Sequence, residues 1–166
     1  SSIMSIRHRR CAHRMSGDAG TLRRRGPDQK GIWKESFVTL IHSRLSIVDL
    51  EGGRQPMMRG SCCIVYNGEL YNTQELRAEL LARGRQLSTH SDTEVILQSY
   101  LEWKEACVEK FNGIFAFAIW DTYRKELFLA RDPMGVKPLF TRCAKMPFSL
   151  AARSRRCWHI RLSDHG

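Results

Sequence analysis

Two apolar runs, Gly113 to Asp121 (GIFAFAIWD) and Lys125 to Asp132 (KELFLARD), are separated only by Thr122, Tyr123 and Arg124. They read as a hairpin of two buried strands, and a chain that contains such a hairpin must cover it. The rest of the chain supplies the cover. Ile32, Trp33, Phe37, Val38, Leu40 and Ile41 suggest a strand from Ile32 to Ile41, and Cys62 to Tyr66 suggests another. Asn72 or Thr73 can cap a helix that carries Leu76, Leu80 and Leu81 on one face and has Gly84 just past its end. Ser91-Asp92-Thr93-Glu94 has the S-x-x-E form of a capping box and opens a second helix through Val95, Ile96, Tyr100 and Trp103. Strands, then two helices, then strands predict a mixed α and β domain in which helices cover antiparallel sheets.

At 166 residues and 42% apolar the chain is long enough for one core, so one domain is expected. The N-terminus lacks an apolar signal region and no run is long enough to span a bilayer, so no membrane is expected and a cytoplasmic location is. The formal charge of +10 raises the question of nucleic acid. Its distribution argues against that reading. Residues 1–25 hold seven Arg against Asp18, and residues 141–166 hold six bases against Asp164, which leaves 14 Lys and Arg against 15 Asp and Glu between them. The body is nearly neutral and the ends carry no recognition motif. The six cysteines show neither a C-x-x-C pair nor metal spacing with His, so reduced thiols and no metal are expected. Cys62 and Cys63 fall in a strand-like run and must point to opposite faces.

Five segments agree on one further reading: RRRGPDQKG (Arg23 to Gly31), HSRLSIVDL, VYNGELYN, HSDTEV and LARDPMGVKPLF. In order and spacing, with Gly26 and Arg44 eighteen residues apart, they resemble the glutamine-hydrolysing domain of asparagine synthetase, a class II amidotransferase of the N-terminal-nucleophile type. SDTEV and ARDPxG are shared with related class II domains that feed purine or hexosamine synthesis, whereas RLSIVDL with NGELYN favours asparagine synthetase. The resemblance implies an α+β fold, a four-layer αββα sandwich, over residues 23–140. Residues 1–22 are an atypical basic segment and residues 141–166 a basic tail, so the first strand and the last strand and helix are expected to be missing or replaced.

The resemblance also assigns roles. Asn67 and Gly68 would form the oxyanion hole, donating from the Asn amide and the Gly backbone N–H to the oxygen that becomes negative as glutamine's carboxamide is attacked. Read without it, Asn67-Gly68 is a type I′ hairpin turn before it is anything else. Arg44 would grip the α-carboxylate of glutamine with two parallel N–H groups, and Leu45, Ser46, Ile47 and Val48 would add backbone contacts. The plain alternative for Arg44 is a solvated charge at a strand end. Asp92 suits the helix dipole in any case, and by resemblance also faces the α-ammonium, with Glu69 in the same pocket wall. Glutamine is the implied ligand. The implied partner is a C-terminal synthetase domain that would bind ATP and Mg²⁺, so no cofactor is expected in these residues.

The ends depart from the family. Its nucleophilic cysteine stands at the mature N-terminus, about thirty residues before the Gly of RGPD, with its own α-amine as base. This chain begins Ser1-Ser2-Ile3, and Cys11 is only fifteen residues before Gly26, so Cys11 is not expected to serve. At the other end, synonymous codons for Phe148 to Arg161 exist that, read from the third base, encode LFGSEIKALLAHP, a family-like continuation after KPLF. A frameshift between about Leu139 and Lys145, with out-of-frame translation beyond it, is the expectation, and the DNA sequence tests it. On this reading the copy is an inactive fragment of a glutaminase. The alternatives are a pseudoenzyme that binds glutamine or a partner without turnover, and, less favoured, a basic nucleic-acid-binding protein.

Overall fold

The computed structural model describes residues 3–8, 29–35, 38–44, 54–137, 148–154 and 157–162, with side chains over 31–35, 38–42 and 54–137. In chain order these are strands β1 (Ile3–His8), β2 (Gln29–Lys34), β3 (Val38–Arg44), β4 (Met57–Arg59) and β5 (Cys62–Leu70), then helices α1 (Thr73–Ala82) and α2 (Asp92–Trp103). A 3₁₀ turn (Lys104–Ala106) and the short α3 (Cys107–Lys110) lead into β6 (Gly113–Asp121), β7 (Glu126–Arg131), β8 (Phe148–Ser154) and β9 (Cys157–Leu162). The fold is α+β. All pairings are antiparallel, in a three-stranded sheet β1-β3-β2 and a six-stranded sheet β4-β5-β6-β7-β9-β8.

Side-chain alternation divides the large sheet's residues between two cores. Cys62, Ile64 and Tyr66, with Phe115, Phe117, Ile119 and Phe128, meet Leu76 and Leu80 of α1 and Val95, Ile96 and Tyr100 of α2. Cys63, Val65, Ala118, Trp120, Leu127 and Leu129 meet Val38 and Leu40 of the small sheet. The order is helix, sheet, sheet, so three of the four layers of an αββα sandwich fall within the described residues. Burial on both faces is why β6 and β7 read as near-continuous apolar runs rather than alternating ones.

The hairpin of β6 and β7 forms as expected, turning through Thr122 to Lys125 with Lys125 at positive φ. The single strand expected from Ile32 to Ile41 is instead two, β2 and β3, paired with Trp33 opposite Leu40. Glu35 breaks the run: its N–H donates to Val38 O at 2.9 Å, and its carboxylate accepts from Trp120 Nε1 and Lys125 Nζ of the other sheet. Nor is Asn67-Gly68 a turn. It lies inside β5, opposite Ala116 and Phe115 of β6. Asn72 takes the N-cap position of α1, but its side chain bonds Lys110 O and the Asn112 N–H instead of the helix, which ties α1 to the segment before β6. Leu81, expected on the apolar face, is 51% exposed.

The sheet edges where strands are expected to be missing or replaced are occupied. β1 pairs with β3 along its length, and β9 pairs with β7 and carries β8 outside it. Strand pairing is made by backbone N–H and C=O groups, so an edge can be covered by any segment able to extend.

Cys62 and Cys63 do face opposite cores, and both are free. Burial, then the nearby Asp121 carboxylate, pushes the Cys62 thiol up to about 11; burial and then Cys62 push Cys63 up to about 12. Neither is a nucleophile at neutral pH. A maleimide reagent at pH 7.5 is therefore expected to leave both unlabelled in the folded chain and to label them in denaturant; native labelling at either position, read by peptide mass, would contradict these cores.

Candidate functional site

β5 runs from a fully buried start at Cys62 to a partly open end, where Asn67 and Gly68 are half-buried and Glu69 is exposed. Alternation puts Asn67 and Glu69 on the face of Cys63 and Val65, toward the small sheet, and Gly68 on the helix face. Gly68 is needed where it sits. A Cβ there would lie 2.2 Å from Ile114 O and 2.6 Å from Phe115 Cα, and φ is +155°. The backbones of β5 and β6 approach so closely that only a bare α-carbon fits, which is a second physical reason, besides turn geometry, for a glycine after an asparagine.

Asp92 opens α2 and reaches the same end of β5. Its Oδ2 accepts from the Leu70 N–H at 3.0 Å and lies 3.4 Å from the Tyr66 hydroxyl, while the Thr73 hydroxyl lies 2.7 Å from Oδ1 and 3.0 Å from Leu70 O. Burial, then the Asp92 charge, pushes the Tyr66 phenol far up, so it stays a neutral donor. A carboxylate at a helix N-terminus is favoured by the helix dipole, and here it also staples α2 to β5.

Ser91 accepts from the Glu94 N–H at 3.3 Å, as a capping box requires, but Glu94 does not return to Ser91. Its fully buried carboxylate takes the N–H groups of Ser88 and Thr89, both their hydroxyls, and Arg59 from β4. Burial alone would raise Glu94; the Thr89 hydroxyl, the backbone N–H groups of Ser88 and Thr89, and Arg59 outweigh it and hold the carboxyl at about 2. The start of α2, which carries Asp92, is thereby fixed to both β4 and the preceding loop.

The structure thus brings Asn67, Gly68, Glu69 and Asp92 to one end of β5. Arg44 is the last residue of β3, opposite Gln29 in register, on a strand that packs against β5; only its backbone is described. Leu45, Ser46, Ile47 and Val48 lie outside the described residues, as do Gly26 and Cys11. Sequence reasoning missed Gln55, Tyr66, Thr73 and Thr93, which brace these positions. For Tyr66, Thr73 and Thr93 the available signal was closeness to NGE and SDTE, but threonine and tyrosine are common enough to pass unmarked; Gln55 is near neither motif in sequence. Among the described residues no group of three His, Cys, Asp or Glu is placed to hold a metal, and no helix is long and apolar enough to cross a membrane.

Helices on an antiparallel sheet that packs on a second sheet are shared with the N-terminal-nucleophile amidotransferases. The solved glutamine phosphoribosylpyrophosphate amidotransferase of B. subtilis superposes with a TM-score of 0.50 at 21% identity, over 74% of this chain and 27% of that one. That likeness defines the fold class. The chain itself belongs to the glutamine amidotransferase domain family, whose model matches residues 2–159. It is 58% identical over 124 residues to asparagine synthetase [glutamine-hydrolyzing] 3 of Bacillus subtilis (strain 168), covering 72% of this chain and 20% of that protein. Over 121 residues it is 41% identical to asparagine synthetase B [glutamine-hydrolyzing] of Escherichia coli (strain K12), covering 72% of this chain and 22% of that protein. The chain therefore spans about a fifth of the length of these relatives.

Proposed function

We propose that this chain is the glutamine-binding domain of an asparagine-forming enzyme, and that its pocket lies at the end of β5. The observation that carries the reading is that Asp92 bonds the Leu70 N–H and the Tyr66 hydroxyl, of the two residues that flank Asn67-Gly68-Glu69. A carboxylate there suits the α-ammonium of glutamine; Arg44 at the end of β3 would take the α-carboxylate, so the pair selects an amino-acid zwitterion. Leu45 to Val48 and Glu69 would complete the wall. Asn67 Nδ2 and the Gly68 N–H would face the carboxamide oxygen as it gains charge.

In the full reaction a thiolate adds to the carboxamide carbon, ammonia leaves, and water cleaves the γ-glutamyl thioester to glutamate. The described thiols do not fit the first step, because Cys62, Cys63 and Cys107 are buried in the cores. With Cys11 also not expected to serve, residues 1–166 by themselves are proposed to bind glutamine without turning it over. Ammonia would pass to a synthetase domain that uses ATP and Mg²⁺ to convert aspartate to asparagine in the cytoplasm, and that domain would account for the relatives' remaining length.

Calorimetric titration with L-glutamine tests the pocket. Saturable binding is expected, weakened by Arg44→Ala by about 2 kcal/mol or more, roughly thirtyfold, because a charged partner is left unmatched. Absence of saturable heat, or equal binding by the variant, would remove the reading, and steady glutamate release by residues 1–166 would refute the claim of binding without turnover.

A further inference from the structure

Gln55 stands where three elements of the site converge. β4 and β5 pair with Met57 opposite Ile64, so the same register continued two residues further would set Gln55 opposite Tyr66. The strand stops at Met57, and the Gln55 side chain takes over: its Oε1 accepts from the Tyr66 N–H at 2.6 Å. Its Nε2 donates to Thr93 Oγ1 at 3.1 Å. Thr93 is 3% exposed. On the other side, the Gln55 backbone carbonyl oxygen lies only 1.7 Å from where a Cβ on Gly31 would stand, so the backbone of β2 closes against the Gln55 backbone.

One amide therefore joins the residue just before Asn67 to the residue just after Asp92. The structure assigns Gln55 as a positioning residue that sets the spacing between the carboxamide end of the pocket, at Asn67 and Gly68, and its ammonium end, at Asp92. The assignment rests on the glutamine pocket proposed above. Leu70 at the end of β5 and Thr73 at the start of α1 hold the Asp92 carboxylate. Gln55 holds the helix start from the β4 side, and with both in place Asp92 has little freedom to follow a misplaced ligand.

Binding by the full chain decides it, with two probes: L-glutamine, and 4-carbamoylbutanoate, which has the carboxamide and carboxylate but no α-ammonium. Thr93→Val removes the hydroxyl and keeps the shape, and it is expected to weaken L-glutamine about tenfold while leaving 4-carbamoylbutanoate within about twofold, since only the ammonium partner is displaced. Thr93→Ser restores the hydroxyl and should restore L-glutamine affinity. Gln55→Leu is expected to act in the same direction, but it also orphans the Tyr66 N–H and costs stability, so the threonine pair carries the decision. A loss that falls equally on both probes, or folded Thr93→Val with unchanged L-glutamine affinity while Arg44→Ala abolishes it, overturns the role of Gln55 alone. An unsubstituted chain that binds no L-glutamine overturns the pocket and this role together.

Discussion

Replacing Glu94 with alanine is expected to lower the unfolding free energy by about 3–5 kcal/mol, a large share of the roughly 5–15 kcal/mol typical of a domain. The cost does not come from the Arg59 ion pair as such, because Arg59 is 34% exposed and can turn to water. It comes from the groups that cannot turn. The Ser88 and Thr89 N–H groups point at the carboxylate from 3.1 and 2.5 Å, and without it they lose their acceptor. Glu94→Gln keeps the volume and one acceptor, so it should lose less. Urea unfolding of the two variants measures both, and a loss below about 1 kcal/mol for alanine would mean that water satisfies these donors.

The same residue sets an acid limit. Its carboxyl titrates at about 2 in the folded chain against an ordinary 4.5, so on acidification the unfolded state takes up the proton first. Its stabilising contribution is complete above about 4.5 and is lost as the pH falls toward about 2. Asp132 acts in the same direction: burial would raise it, but the N–H groups of Val136, Lys137, Phe115 and Gly135 hold it below the usual carboxylate range. Stability measured from pH 6 to pH 2.5 should fall steeply, and Glu94→Gln should flatten part of that slope. An unchanged slope in the variant would assign the acid limit to other groups.

Gly68→Ala is expected to cost about 2–5 kcal/mol, the sum of backbone strain at positive φ and overpacking between two strands. Gly113 makes the matching approach from the other strand, since a Cβ there would lie 2.3 Å from Glu69 O. Both substitutions push β5 and β6 apart at the same place, so the double variant should lose less than the two single losses added. Gly84→Ala is the control. Its φ is +80° but nothing lies within 4 Å of its Cβ, so only the strain of about 1 kcal/mol remains. Equal losses at Gly68 and Gly84 would mean that strain alone, not the closeness of the strands, makes Gly68 necessary. Because Asn67 is its neighbour, Gly68→Ala should also disturb any ligand at that end of β5 more than Gly113→Ala does.

Much of the architecture was legible because it is written in short-range periodicity. The apolar runs at 113–121 and 126–131, Leu76 and Leu80 of α1 and the serine cap of α2 need only their immediate neighbours to be read, and each stands where expected. The division into β2 and β3 was not legible, because Glu35, just past β2, is engaged by Trp120 and Lys125, some ninety positions away. Glu94 shows the same division within one motif. The cap it follows is local, whereas the destination of its carboxylate depends on Arg59 arriving from β4.

Asn67-Gly68 marks the boundary most clearly. The dipeptide by itself states only that the chain needs a residue without a side chain after an asparagine, a demand shared by a tight turn and by two strands in close contact. Alternation and local caps alone determined that this chain mixes α and β, with buried central strands, two helices and a serine cap on the second. The tertiary structure decided that the glycine serves close contact with β6, that Asp92 meets the same strand end, and that Gln55 spans the two. The reason is range: torsional preference and side-chain alternation act over a few residues, while the contacts that assemble a site form only once distant strands have found their register.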